Sequence, residues 1–216
     1  MTDRILVDVW SDVACPWCYI GKRRLEAGIA AFASESGTPA VDVVFRSFQL
    51  DPDAPRDFAG GAAEYLAEHK GIPREAARAM QAQVTLIAAD VGLAYDFDAL
   101  RPANTLDAHR LLHLAKDEGN QVDVKERLFR AHFEEGRNIG DDEELADIAD
   151  EAGMDRDRVL SVLHSDALLE AVGDDTSLAA RLGIHGVPFF VIAGRYGISG
   201  AQPPETFVRA FRQAAT

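Results

Sequence analysis

The residues with the most chemistry to offer are Cys15 and Cys18, the only two cysteines in 216 residues, with Pro16 and Trp17 between them. Residues 4–10, a strand-like run of largely apolar, β-favouring side chains, precede the pair. Behind it, Leu25, Ile29 and Phe32 recur at i, i+4 and i+7, the stripe of an amphipathic helix. The cysteines therefore fall where a strand turns into a helix. A thiolate at a helix N-terminus meets unpaired backbone N–H groups and the positive end of the helix dipole, which favour the charged sulfur. Pro16 suits the first turn, because the N–H it lacks has no intrahelical partner there. This reading makes Cys15 the exposed nucleophile. Cys18, one turn further in, attacks a mixed disulfide formed at Cys15 and releases the product. Two other uses of such a pair stand beside dithiol redox chemistry. A zinc site needs two more ligands, which the six scattered histidines could supply only by folding, and an inert structural pair needs none.

Composition narrows the setting. Apolar residues make up 47% and charged residues 27%, as in an ordinary globular protein. Twenty-two Lys and Arg against 36 Asp and Glu leave a net charge of −14, which argues against general nucleic-acid binding. No run approaches the roughly 18 apolar residues of a membrane span, and the first residues carry no hydrophobic region of a signal peptide. The expectation is a cytoplasmic protein whose thiols are kept reduced, with no nucleic-acid or membrane partner. Between Glu134 and Asp157 eleven acidic residues meet only two basic ones, which reads as a solvated helical face.

The elements that must hold the cysteines are legible around them. Val41, Val43 and Phe45 alternate with Asp42, Val44 and Arg46, a second strand reaching about Leu50 and, after a helical crossover, parallel to the first. Pro52, Pro55, Gly60 and Gly61 open a loop. From there to about Asp174 the pattern is helical, with helices expected over 61–70, 73–91, 104–118, 121–135, 142–152 and 155–164. Gly92, Gly119, Gly136 and Gly153 stand where helices should stop. Strand signals return at 187–192, with 195–199 as a hairpin partner. Pro203-Pro204 opens a last helix that lines up Phe207, Ala210 and Phe211. The expectation is an α/β fold, residues 1–50 and 175–216, interrupted by a helical domain over 51–174.

Gly186-Val187-Pro188 leads into the third strand. A proline at a strand entrance is expected on general grounds. Together with an upstream CxxC, it suggests a cis-proline whose preceding residue offers its backbone to a thiol or extended peptide. The segment Asp12-Val13-Ala14-Cys15-Pro16-Trp17-Cys18-Tyr19-Ile20-Gly21 and this turn resemble the DsbA-like thiol oxidoreductases of the FrnE type. That superfamily includes 2-hydroxychromene-2-carboxylate isomerase and the kappa-class glutathione transferases. The resemblance covers essentially the whole chain, and it implies a thioredoxin fold interrupted by an inserted all-helical domain. It implies Cys15 as nucleophile, Cys18 as resolving thiol, Pro188 as the cis-proline and Val187 as the ligand-facing backbone. Asn104 and His109 lie in a segment that resembles the one such proteins bring from the helical domain toward the site; Asn104 alone reads as a helix cap.

The resemblance also separates the members. The isomerases and kappa-class transferases typically have serine at the position of Cys15 and no cysteine at that of Cys18. They also tend to carry an Asp-Arg pair after the last strand, where this chain has Gly200-Ala201-Gln202-Pro203. Dithiol exchange is thus the expected activity, and glutathione-dependent isomerisation or transfer on a small aromatic molecule is the alternative. A non-enzymatic metal-binding module is a third reading.

The remaining residues carry weaker signals. His109 and His113 share a helix face, but Arg110 stands where a zincin has its glutamate, so no metal is expected there. Lys22, Arg23 and Arg24 read as a solvated helix face that could also raise the potential near the thiols. Trp17 reads as a substrate contact, and His185 as a loop histidine. No cofactor is expected, since the electrons reside on the cysteine pair. The partner is a thiol or disulfide, protein or small molecule, with glutathione among the candidates, and the sequence leaves room for a homodimer.

Overall fold

The computed structural model describes residues 4–216; residues 1–3 of the expected first segment lie outside the described residues. The β-favouring run becomes β1 (Arg4–Ser11), and Pro16–Ala33 forms α1, which leads into β2 (Ala40–Ser47). β1 and β2 pair in parallel from Arg4↔Ala40 to Ser11↔Ser47, as the crossover requires. On its other side β1 takes β3 (Phe189–Ile192) antiparallel, and β3 takes β4 (Tyr196–Ser199), so the sheet order is β2-β1-β3-β4. Ala193 and Gly194 both have positive φ, which turns the β3–β4 hairpin tightly. The last helix, α9 (Pro204–Ala214), packs against α1. At Gly28 of α1 a Cβ would meet Phe207 Cβ at 2.9 Å and the Pro204 carbonyl oxygen at 3.0 Å, so only glycine admits this approach. Leu25, Phe32, Phe190, Phe207 and Phe211 fill the core between sheet and helices.

Between β2 and β3 run α2 (Ala62–Lys70), α3 (Arg74–Ala89), α4 (Leu106–Asp117), α5 (Gln121–Phe133), α6 (Asp142–Glu151), α7 (Arg156–Leu163) and α8 (Leu169–Arg181). The first six match the helices read from periodicity. α8 does not, and it runs through the expected boundary at 174/175. Its buried face is Val172, Asp175 and Ala179, so a carboxylate interrupts the apolar stripe that would have revealed it. Asp141 and Asp155 cap α6 and α7 by accepting the N–H groups of Glu144 and Arg158 at 3.0 and 2.7 Å. Leu111, Leu128, Ile148 and Val159 centre a second core among α4–α7.

Two side chains stitch this helical block to the sheet. Gln121 of α5 donates to the Phe45 carbonyl and accepts from the Phe45 N–H, both at 2.9 Å, satisfying β2's edge as a further strand would. Asp175 of α8 accepts from the Ser47 N–H at 2.9 Å and pairs with His113 and Arg46, each at 3.2 Å. Trp10 of β1 donates to the Asp175 carbonyl at 3.0 Å. The carboxylate is buried, so deleting it strands several partners. Asp175→Ala is expected to destabilise the fold by about 2–4 kcal/mol, measured by urea unfolding.

Candidate active site

Cys15 is the N-cap of α1, in extended backbone, and the proline that follows it occupies the first helical turn. Its carbonyl accepts from the Cys18 N–H at 3.0 Å, which closes the turn and brings the two sulfurs together as free thiols. The Val187–Pro188 peptide is cis, and the Cys15 thiol lies 3.7 Å from the Val187 carbonyl it donates to. Gly21, one turn after Cys18, makes this approach possible: a Cβ there would meet Pro188 Cγ at 3.0 Å. Tyr95 from the helical block donates to the Pro16 carbonyl at 2.7 Å and so clamps the same turn.

The pair is less open than the sequence suggests. Cys15 is 3% and Cys18 2% exposed, packed with Tyr19, Ile20, Phe129 and Phe133 where the sheet and the helical block meet. Cys15 is reached through a cleft of about 520 Å³, within the range of small-molecule sites. Trp17 and Val187 line it beside Cys15, while Leu66, Val84, Phe97 and Phe133 line it from the helical block. Trp17, 41% exposed, stands at its mouth.

Charge beneath the thiols is arranged by burial. The Asp12 carboxylate is 1% exposed and accepts from the Leu50 N–H at 2.8 Å, with His109 Nε2 at 3.3 Å. Burial alone would raise its pKa, but the hydrogen bonds from His109, Leu50 and Thr105 outweigh it and hold the group ionised below the ordinary carboxyl range. Burial likewise keeps His109 below the ordinary imidazole value, so it donates as a neutral ring. The Cys15 thiol is pushed well above the ordinary thiol range, first by its hydrogen bond with Cys18, then by burial and the Cys18 and Asp12 charges. The helix start is therefore only part of the balance. The hydrogen bond with Cys18 thus helps to keep the proton on Cys15.

Lys125 of α5 is the unexpected member. It is fully buried, its Nζ has no hydrogen-bond partner among the described residues, and it lies over the rings of Phe129 at 4.6 Å and Phe45 at 5.5 Å. Burial pushes its pKa down to about 8, against the favourable charges of Cys18, Asp12 and Cys15. One sequence signal could have found it. Lys125 lies four residues from both Gln121 and Phe129, hence on the buried face of α5.

The other expected site residues fall into place unevenly. His109 sits behind Asp12 and meets the thiols through that carboxylate. Asn104 faces the rim loop: its amide donates to the Pro52 and Ala54 carbonyls at 2.9 and 3.0 Å, and its oxygen accepts the Leu106 N–H at 2.8 Å. Thr105, its neighbour, is the residue that lines the cleft. His185 is exposed away from it. Lys22 and Arg23 are not a solvated face: Lys22 is 4% exposed and both bind Glu126 of α5, while Arg24 binds the Ala201 carbonyl. Glu126 is the buried-side counter-charge that turns that basic run inward.

A dithiol at a strand-to-helix turn, opposed by a cis-proline and roofed by helices, belongs to the thiol–disulfide oxidoreductases. The chain is a member of the DSBA-like thioredoxin domain family, which matches it over residues 6–212. It is 42% identical to a solved structure described as a probable DsbA oxidoreductase from Streptomyces coelicolor, with TM-score 0.89 over 97% of this chain and 89% of that one. It is 27% identical to the Bacillus subtilis protein YwbO over 209 residues, 94% of each chain. The cytosolic disulfide reductase DsbM from Pseudomonas aeruginosa, solved with glutathione, shares the fold at 19% identity and TM-score 0.65, covering 96% of this chain and 98% of that one.

Lys125 yields a pH-dependent expectation. Its pKa is lower folded than unfolded, so the unfolded chain binds the extra proton between about 8 and 10.5. The buried charge destabilises the fold fully below that window and ceases to above it. Lys125→Met should therefore stabilise the protein by about 1–3 kcal/mol at pH 7, a gap that closes as pH rises toward 10.5, read from urea unfolding across pH.

Proposed function

We propose that this protein exchanges disulfides in the cytoplasm through the Cys15–Cys18 dithiol, with Val187 and Pro188 presenting the substrate sulfur. The observation that carries the reading is the Cys15 thiol held 3.7 Å from the Val187 carbonyl, with Cys18 behind it in the same turn. In the reducing direction the Cys15 thiolate attacks a substrate disulfide, forms a mixed disulfide and expels one substrate thiolate. Cys18, deprotonated, then attacks the Cys15 sulfur and expels the second thiolate, leaving the Cys15–Cys18 disulfide. Two electrons pass from protein to substrate, and the reverse sequence oxidises a substrate dithiol. Trp17 bounds the entrance, and His109 acts by holding Asp12 beneath the turn. Asn104 acts by holding the rim.

The cytoplasmic assignment rests on a chain whose only cysteines are this pair and on the absence, among the described residues, of a helix long and apolar enough to cross a membrane. A cellular thiol, glutathione among the candidates, would return the dithiol to its working state. No metal or cofactor enters these steps.

Cys15→Ser is expected to abolish turnover of a small disulfide, a loss of at least about a hundredfold, because the attacking sulfur is gone. Cys18→Ser should retain the first step and accumulate a mixed disulfide on Cys15, seen as an added mass in non-reducing mass spectrometry. Full turnover by Cys18→Ser without that adduct would rule the dithiol mechanism out.

A further inference from the structure

His132 of α5 lines the thiol cleft, yet neither of its ring nitrogens hydrogen-bonds to the protein among the described residues. The side chain is 1% exposed, its Nδ1 is buried outright, and the Phe133 ring stands edge-on to it at 4.7 Å. A neutral imidazole always carries one N–H and one free lone pair, and leaving such a group unpaired in a protein interior is unfavourable. Gln81 Nε2, from another cleft-lining residue, is also buried without a partner. The charged groups of the cleft are already engaged. Lys70 pairs with Asp51 at 2.7 Å, Tyr65 donates to the same carboxylate, and Asp12 is satisfied by Leu50 and His109.

We propose that the thiol cleft is a binding site for a small, mostly apolar molecule carrying a neutral hydroxyl or carbonyl, which hydrogen-bonds to His132. This deepens the exchange reading above and rests on it for the meaning of Cys15 at the cleft wall. The apolar class follows from the lining: Leu50, Leu66, Val84, Phe97, Leu100 and Phe133 face a volume of about 520 Å³. Neutrality follows from charge. Lys70, the one lysine or arginine in that lining, already holds Asp51. Burial also pushes His132 down to about 4, so at neutral pH it offers a carboxylate no positive charge. A doubly carboxylated peptide such as glutathione would meet no free counter-charge at the bottom of this cleft. An alcohol, phenol or ketone finds what it needs at Nε2, the ring nitrogen not shut away from the cleft, which accepts or donates according to the tautomer.

The test compares three probes of one shape, 2-naphthol, naphthalene and 2-naphthoate, binding to the full chain by isothermal titration calorimetry at pH 7. 2-Naphthol should bind about three- to tenfold more tightly than naphthalene, the range of one net hydrogen bond, and more tightly than 2-naphthoate. It should also slow alkylation of Cys15 by iodoacetamide. His132→Phe should remove the preference for 2-naphthol over naphthalene, and His132→Gln, which keeps a donor and an acceptor, should retain part of it. The proposal is overturned if 2-naphthoate binds as tightly as 2-naphthol, if Cys15 is not protected, or if His132→Phe leaves the preference intact. Should His132→Phe not fold, the wild-type probe series and His132→Gln decide alone, and absence of a 2-naphthol preference in the wild type is fatal. Turnover of bis(2-hydroxyethyl) disulfide, measured on the same preparation, separates the two readings. Exchange without selective binding sinks the subsite, and selective binding without exchange sinks the dithiol function.

Discussion

Everything around the thiols is organised by a single buried anion. Asp12 leaves β1 three residues before Cys15 and is almost entirely out of water, so its ionised form persists only because three separate parts of the chain donate to it. The Leu50 N–H comes from the segment after β2, His109 and Thr105 come from the first turns of α4, and Ala14 Nα lies 3.5 Å away in the cysteine turn itself. The carboxylate therefore fixes the distance between the sheet, the helical block and the cysteine turn at once. It also sets the local field: it raises Cys15, supports the ammonium of Lys125 and is in turn stabilised by His109.

Lys125 supplies the opposite sign without touching the anion. It lies over the faces of aromatic rings, and Phe129 beneath it also stacks on Tyr19 at 4.8 Å, the residue after Cys18. Asp12 and Lys125, groups of opposite charge that both interact with the dithiol, are buried together by the helical block's packing on the thioredoxin sheet. Glu126, one residue from Lys125, faces the other way and gathers Lys22, Arg23 and the Tyr19 hydroxyl into a second network at the edge of α1. Adjacent residues of α5 therefore serve two different layers of the site.

How much of this could be read in advance depended on whether a residue's role follows from neighbours in sequence. The cysteine pair, the helix it begins, the parallel β1–β2 unit and the hairpin are local patterns, and each is found where local propensity puts it; Pro188 is locally only a strand entrance, and its cis peptide was legible only beside the distant CxxC. The helices α2–α7 followed from periodicity because their buried faces are apolar. α8 was hidden because Asp175 stands on its buried face, where it answers to Ser47, Arg46 and His113 from distant elements. Lys22 looked solvated because Glu126, its partner, lies 104 residues away. Asn104 was legible as a cap, and it does hold the start of α4, although Thr105 is the N-cap and Asn104 stands one position before it; that its amide also ties down Pro52 and Ala54 required the folded loop. The cleft itself is a meeting of surfaces and has no local signature at all.

The sheet order β2-β1-β3-β4 has a further consequence for how the chain reaches its native state. β1 cannot gain its second neighbour until β3, nearly the whole chain later, has been made and has closed a very long loop. The core of α4–α7, by contrast, draws all but Val13 of its buried members from a contiguous stretch of helices and can gather from short-range contacts. On a ribosome, the helical block would be assembled while the half-sheet β1–β2 still waits with one edge unpaired. Gln121 and Asp175 then take on a temporal role: by holding Phe45 and Ser47 of β2 they give the waiting half-sheet a scaffold before its last strands arrive.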